Sequence, residues 1–173
     1  MKFKKSDLIS GFIIIIGVYI GYTINKEPLN IDLSHKNTFS IQNISFSFST
    51  MSFIFLRNMF VGILLSIGGY LTMGILTIII LFANGYFLGI YFSYFKHSSI
   101  SILEFSYYFI FHGFIEMYAL ILFSRFGYDS LYRKNILDTN IIRQLVLNSQ
   151  SLILPTTLLF IASIIETFLI TNF

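Results

Sequence analysis

The sequence predicts an all-α integral membrane protein, a bundle of about five transmembrane helices. Of its 173 residues, 55% are hydrophobic and only 11% are charged, whereas a typical soluble domain is about one quarter charged. The mean hydropathy is +0.79, and several stretches reach the roughly 20 apolar residues that a helix needs to cross a bilayer. A soluble domain of this size could not bury so much apolar surface, so the bilayer is the expected solvent.

Five segments are predicted to span the membrane. The first follows three lysines and has no small-residue cleavage site, so we interpret it as a retained helix rather than a signal peptide. The nearly uncharged stretch 51–95 is too long for one span, and Gly68-Gly69 is its predicted break. The predicted helices cover residues 8–24, 52–67, 71–94, 100–123 and 147–171.

The predicted organisation has three parts. Residues 1–25 form the first transmembrane helix, residues 26–50 an extracytoplasmic loop, and residues 51–173 a four-helix membrane region. Within the loop, apolar and polar residues alternate from Phe39 to Phe48, which favours a short hairpin or a segment lying on the membrane surface.

Basic residues predict the direction of the spans, because cytoplasmic loops are enriched in them. With the N-terminus inside, seven basic residues face the bacterial cytoplasm, three fall in outer loops, and the C-terminus is outside. The seven are Lys2, Lys4, Lys5, Arg125, Arg133, Lys134 and Arg143, and the three are Lys26, Lys36 and Lys96. The cytoplasmic loop at residues 127–148 is either an amphipathic linker or, through Arg133 and Lys134, a docking surface for a soluble partner.

Polar side chains inside the spans predict which faces lie in the protein interior, because an unpartnered polar group in hydrocarbon costs several kcal/mol. In the fourth helix Glu104, Tyr108, His112 and Glu116 recur every four residues and share a face. His112 and Glu116 lie near mid-membrane and can share a proton or a hydrogen bond. The pair is either a functional site or a contact that holds helices together.

Other spans offer partners for this face. Asn84 lies at about the depth of His112, and Gly85 and Gly89 after it let a neighbouring backbone approach closely. Arg57 is predicted to form an ion pair with Glu104 or Glu166. Asn58 and Asn84 are interpreted as packing residues, and Gly17 with Gly21 repeats the small-residue spacing.

Several classes of site are not expected. The chain has no cysteine and three scattered histidines, so neither a disulfide nor a metal site is predicted. It carries no Walker motif, no nucleophile elbow and no zinc-protease helix, so we expect no enzyme, no cofactor and no nucleic-acid partner.

The polar and glycine residues, taken in order, resemble a known family. They are Asn58, Gly74-Ile75-Leu76-Thr77, Asn84-Gly85 with Gly89, His112-Gly113 with Glu116, Gly127, and Glu166. Together they resemble the stage II sporulation protein M (SpoIIM) family over residues 51–173. The His-Gly-x-x-Glu motif inside an apolar helix is the most specific of these elements.

The resemblance implies a bacterial multi-pass membrane component that works in an oligomer or hetero-complex. The member that names the family resembles a scaffold for peptidoglycan-degrading proteins at the engulfing septum. Other relatives are encoded beside separate ATPases in gene clusters for circular bacteriocins. Two functions therefore stay open: a subunit for peptide export or immunity that works with an ATPase, or a septal scaffold. The short outer loop favours the first.

Overall fold

A computed structural model of the protein describes residues 4–24, 47–97, 102–129 and 141–172, with side chains for 4–24, 47–96, 112–128 and 151–169. These residues are almost entirely helical, without a strand among them. The five helices are α1 (Lys5–Ile24), α2 (Phe48–Leu71), α3 (Ile75–His97), α4 (Ile102–Asp129) and α5 (Ile141–Asn172). The predicted fold class is confirmed.

The outer surface of the bundle is apolar. Side chains such as Phe12, Phe53 and Phe87 are each more than 60% exposed. By length and composition, α1, α2, most of α3 and Ser151–Leu169 of α5 are long and apolar enough to cross a membrane. The 28-residue α4 packs among them. An apolar exterior around a packed helical interior is the arrangement expected of a protein dissolved in lipid.

Hydrogen bonds between helices give their relative directions. Asp7 of α1 meets Arg125 of α4, and Thr77 of α3 meets Leu65 of α2. The starts of α1 and α3 and the ends of α2 and α4 therefore lie together. We call this end of the bundle the Asp7 end.

The predicted break at Gly68-Gly69 is wrong. Both glycines have helical dihedrals, and the turn comes at residues 72–74, where Met73 and Gly74 have φ of 53° and 80°. Gly74 supplies a left-handed conformation that glycine adopts without steric cost. Gly69 instead provides close packing, because a Cβ there would collide with the Thr77 hydroxyl.

A π-helical segment, Leu64–Gly68, interrupts α2 just before this turn. Such segments shift the backbone hydrogen bonds and are common at functional sites. Here the Leu65 carbonyl accepts a hydrogen bond from the Thr77 hydroxyl at 3.0 Å. The Ser66 hydroxyl donates to the Phe123 carbonyl at 3.2 Å. The segment thus joins α2 to both α3 and α4.

The last two helices extend beyond their predicted bounds. α4 continues to Asp129 and α5 begins at Ile141, so helix occupies part of the segment 127–148. Hydropathy reports the hydrocarbon-embedded part of a helix, whereas the hydrogen-bonded helix can continue into the interface. The predicted hairpin or surface segment before Phe48 lies outside the described residues.

Candidate functional site

A cluster of titratable side chains lies between α2, α4 and α5. Glu166 of α5 interacts electrostatically with both His112 and Glu116 of α4, and Arg57 of α2 interacts with Glu116. His112, Glu116 and Glu166 are half-buried. The structure therefore places each of four residues from the sequence prediction within electrostatic range of at least one other, and we call the four the His112 cluster.

Packing between α2 and α5 positions this cluster. Phe55 meets Phe160 edge-to-face at 5.7 Å between ring centroids, and the Thr156 hydroxyl lies 3.9 Å from the Met59 sulfur. These contacts make the two helices antiparallel.

On the same stretch of α2, Asn58 is only 3% exposed, and its Nδ2 has no hydrogen-bond partner among the described residues. A buried amide without an acceptor is unfavourable by about 1–3 kcal/mol.

Three other predicted residues, Glu104, Arg133 and Lys134, have side chains outside the described part of the chain. Glu104 is a predicted ion-pair partner of Arg57, which is exposed and interacts electrostatically with Glu116. The ion pair and the docking surface stay predictions.

Asn84 and Gly85 serve a different interface. The Asn84 amide donates to the Ile80 carbonyl of its own helix at 2.8 Å. Gly85, the next residue, and Gly89, one turn farther on, pack against Gly17 and Gly21 of α1. A Cβ at any of these four glycines would collide with the backbone of the facing helix. The numbers of the contacting residues increase in the same direction along both helices. α1 and α3 are therefore parallel and in close backbone contact.

A second polar group, at the Asp7 end, was missed in the sequence. Arg125 donates from both Nε and Nη2 to the two carboxylate oxygens of Asp7, each at 2.6 Å. The Asp7 side chain is 2% exposed and that of Arg125 17%. The hydroxyls of Ser10 and Ser124 hydrogen-bond at 2.7 Å one turn away. A signal existed, because Asp7 precedes the first span and Arg125 follows the fourth on the same predicted side.

The ion pair also favours the charged form of Arg125. This residue lies just beyond the predicted end of the fourth span at residue 123. Its hydrogen bonds to Asp7 raise the pKa of the guanidinium above its usual value, and burial acts in the opposite direction. Nearby, burial raises the pKa of the Tyr128 phenol. Both groups therefore keep their ordinary charge at neutral pH.

Close packing surrounds the pair. A Cβ at Gly127 would collide with the Thr77 hydroxyl and the Leu65 carbonyl. The Tyr70 and Phe126 rings stack with centroids 5.4 Å apart. The end of α4 is thus held against α2 and α3, and the Asp7 pair attaches α1 to the same point.

Comparison with known proteins places the chain in a family. A family model described as Stage II sporulation protein M matches residues 10–170. The chain belongs to this family. The match reaches α1, upstream of residue 51, where the sequence resemblance began. No curated protein and no solved structure gave a significant match.

The residues of the family motif His112-Gly113-x-x-Glu116 belong to two different features of the structure. His112 and Glu116 belong to the His112 cluster, whereas Gly113 lines an apolar groove of about 390 Å³ between α1, α3 and α4. The groove is lined by Gly11, Ile14, Ile15, Leu88, Phe92, Gly113, Phe114, Met117, Tyr118 and Ile121. Ile15 and Phe114 are 65% and 63% exposed, so the groove opens to the exterior of the bundle.

The volume of this groove is in the range of ligand pockets, roughly 300–1,000 Å³. Its lining is almost entirely apolar, so it can receive an apolar chain from the bilayer. In the described part of the chain, no group of three His, Cys, Asp or Glu side chains could hold a metal ion.

Proposed function

We propose that this member of the stage II sporulation protein M family is a non-enzymatic subunit of a bacterial membrane complex. With a separate ATPase it exports a bacteriocin-like peptide or protects the producing cell from it. It lies in the cytoplasmic membrane with the Asp7 end and the N-terminus facing the cytoplasm and the C-terminus outside. The number of basic residues on each side supports this orientation.

The observation that carries the proposal is the apolar groove. It contains Gly113 of the family motif, and its exposed rim residues, Ile15 and Phe114, face the exterior of the bundle. An apolar peptide already dissolved in the bilayer can enter such a groove from the side, without crossing water. Burial of its apolar surface against protein then depends on packing, the main source of association within lipid.

The ATPase in this proposal is a separate protein. No Walker motif is present in the 173 residues, so this chain would not itself hydrolyse ATP. The segment that follows α4 carries Arg133 and Lys134, and a basic segment on the cytoplasmic side suits an acidic docking surface on a soluble partner.

The His112 cluster supplies a polar element that can respond to the occupant of the groove. Gly113 and His112 are adjacent, so a displacement of α4 at the groove also moves His112 and Glu116 relative to Glu166. Charged groups in a low-dielectric environment change their interaction energy strongly with small shifts in distance.

The experiment is co-purification of the complex. We expect Arg133→Glu with Lys134→Glu to reduce recovery of a co-expressed cytoplasmic ATPase by about ten-fold, since reversing contact charges costs more than 1.4 kcal/mol. Membrane insertion should be unchanged. The matched control reverses Lys26 and Lys36, which are predicted to face outward, and recovery should then equal that of the wild type. Equal recovery in both variants would contradict the docking surface.

A second candidate is a scaffold for peptidoglycan-remodelling proteins at the septum. The description of the matching family, a sporulation protein, favours it. Under this alternative the purified complex contains extracytoplasmic hydrolases in place of an ATPase. The same purification therefore separates the two functions.

A further inference from the structure

Two side-chain contacts join α1 to α4 at the Asp7 end. Asp7 pairs with Arg125, and Ser10 pairs with Ser124. Farther from this end, both helices line the apolar groove, with Ile15 on one wall and Tyr118 on the other. The two helices are thus fixed at one end of the groove and separated along it.

The contacts at the fixed end are strong ones. The ion pair has two parallel hydrogen bonds, a geometry that Arg forms with a carboxylate and that Lys cannot reproduce. Asp7 also accepts a hydrogen bond from the Lys4 backbone amide at 2.8 Å. The carboxylate therefore holds both the start of α1 and the end of α4.

We propose that the Asp7–Arg125 and Ser10–Ser124 contacts form a clamp that sets the width of the groove. The role of this clamp in admitting a peptide rests on the proposed function, in which the groove receives the peptide. Asp7 and Arg125 are positioning residues in this scheme and do not touch the peptide.

The packing around the clamp explains how a movement would be transmitted. Gly127 holds the end of α4 against α2 and α3, so this point acts as a pivot. The facing glycines of α1 and α3 join those two helices closely. When the clamp loosens, α1 is free to move with α3 relative to α4, and the groove widens at Ile15 and Tyr118.

Cross-linking across the groove tests the clamp. The chain has no cysteine, so Ile15→Cys with Tyr118→Cys gives one defined pair in the full-length protein in membranes. We expect Asp7→Asn and Arg125→Gln each to lower the rate of cross-linking by a short bismaleimide by about ten-fold, equivalent to ~1.4 kcal/mol in the closing equilibrium. A long bismaleimide should react as before. Lys5→Gln, which removes an exposed charge at the same end, is the matched control and should change neither rate.

An unchanged short-linker rate in the Asp7 and Arg125 variants would overturn the clamp. If both linkers react poorly, the variant is misfolded, and Ser124→Ala decides instead because it keeps the ion pair. A lower short-linker rate in that variant supports the clamp, and an unchanged rate overturns it. The measurement needs neither ATPase nor peptide, so its failure is distinct from failure of the proposed function.

Discussion

Single residues show how this protein places charge among apolar helices. Glu116 and Glu166 are acidic residues on neighbouring helices. Arg57 interacts electrostatically with Glu116, and His112 interacts with Glu166. His112 and Glu116 are four residues apart on one helix, and this spacing predicted that they share a face of α4. The approach of α5 depends on tertiary packing, which no local spacing encodes, so sequence could place Glu166 only by depth.

The His112 cluster gives the prediction at this scale. His112→Asn and Glu116→Gln each keep a hydrogen-bonding group, so we expect a stability loss of only about 1 kcal/mol. If the proposed function is right, both variants should nevertheless lose export or immunity, because the titratable groups that respond to the groove are gone. The measurement is activity beside thermal stability in detergent.

The control for these two variants is Thr157→Val. The Thr157 hydroxyl is exposed and donates only to the Ile153 carbonyl of its own helix, at 2.9 Å. Its loss should alter neither activity nor stability. A parallel fall of activity and stability in the His112 and Glu116 variants would show that the motif is structural.

At the scale of helices, a glycine can either end a helix or let two helices approach closely, and the sequence alone does not distinguish these two roles. The Gly85-x-x-x-Gly89 spacing predicted a close helix contact, and the structure has one, but spacing alone does not name the partner. Gly17 and Gly21 of α1 turned out to be that partner. Gly68-Gly69 suggested a break, yet these glycines stay helical because the turn forms at Gly74. The role of each glycine depends on which helix packs against it, and this is seen only in the folded structure.

Two glycines of α1 provide a matched test of this contact. A Cβ at Gly21 would collide with the Tyr86 carbonyl, whereas a Cβ at Gly11 would have nothing within 4 Å. We expect Gly21→Ala to destabilise the protein by about 1–3 kcal/mol through overpacking. Gly11→Ala should be neutral or stabilising by up to ~1 kcal/mol, because alanine is the better helix former. Thermal unfolding in detergent measures both. Equal stability of the two variants would argue against the α1–α3 contact.

At the scale of the whole molecule, successive helices alternate in direction because each span begins on the side of the membrane where the previous span ends, and sequence predicted this alternation. Five segments and the basic residues sufficed for that prediction. Sequence did not predict that α1 packs on α3 rather than on α2. The order of helices along the chain does not decide which of them pack together, because contact between helices depends on the shape of their surfaces.

Reporter fusions test the proposed orientation. A reporter after Phe173 should be active outside the cell, and one inserted near Lys134 should be active inside, because the basic residues hold the Asp7 end in the cytoplasm. A fusion after Asn37 should report outside and serves as the internal control. The opposite pattern at all three positions would reverse the orientation.

The Asp7–Arg125 pair also bears on how the protein is made. The two residues are 118 positions apart in the chain. At about 5–20 residues per second, the ribosome reaches Arg125 roughly 6–24 s after Asp7. During that time α1 is in the membrane with its carboxylate unpaired, and α3, its glycine partner, arrives before its charge partner. We therefore expect α1 to pack on α3 before the Asp7–Arg125 pair forms, and α5, which is synthesised last, to complete the bundle.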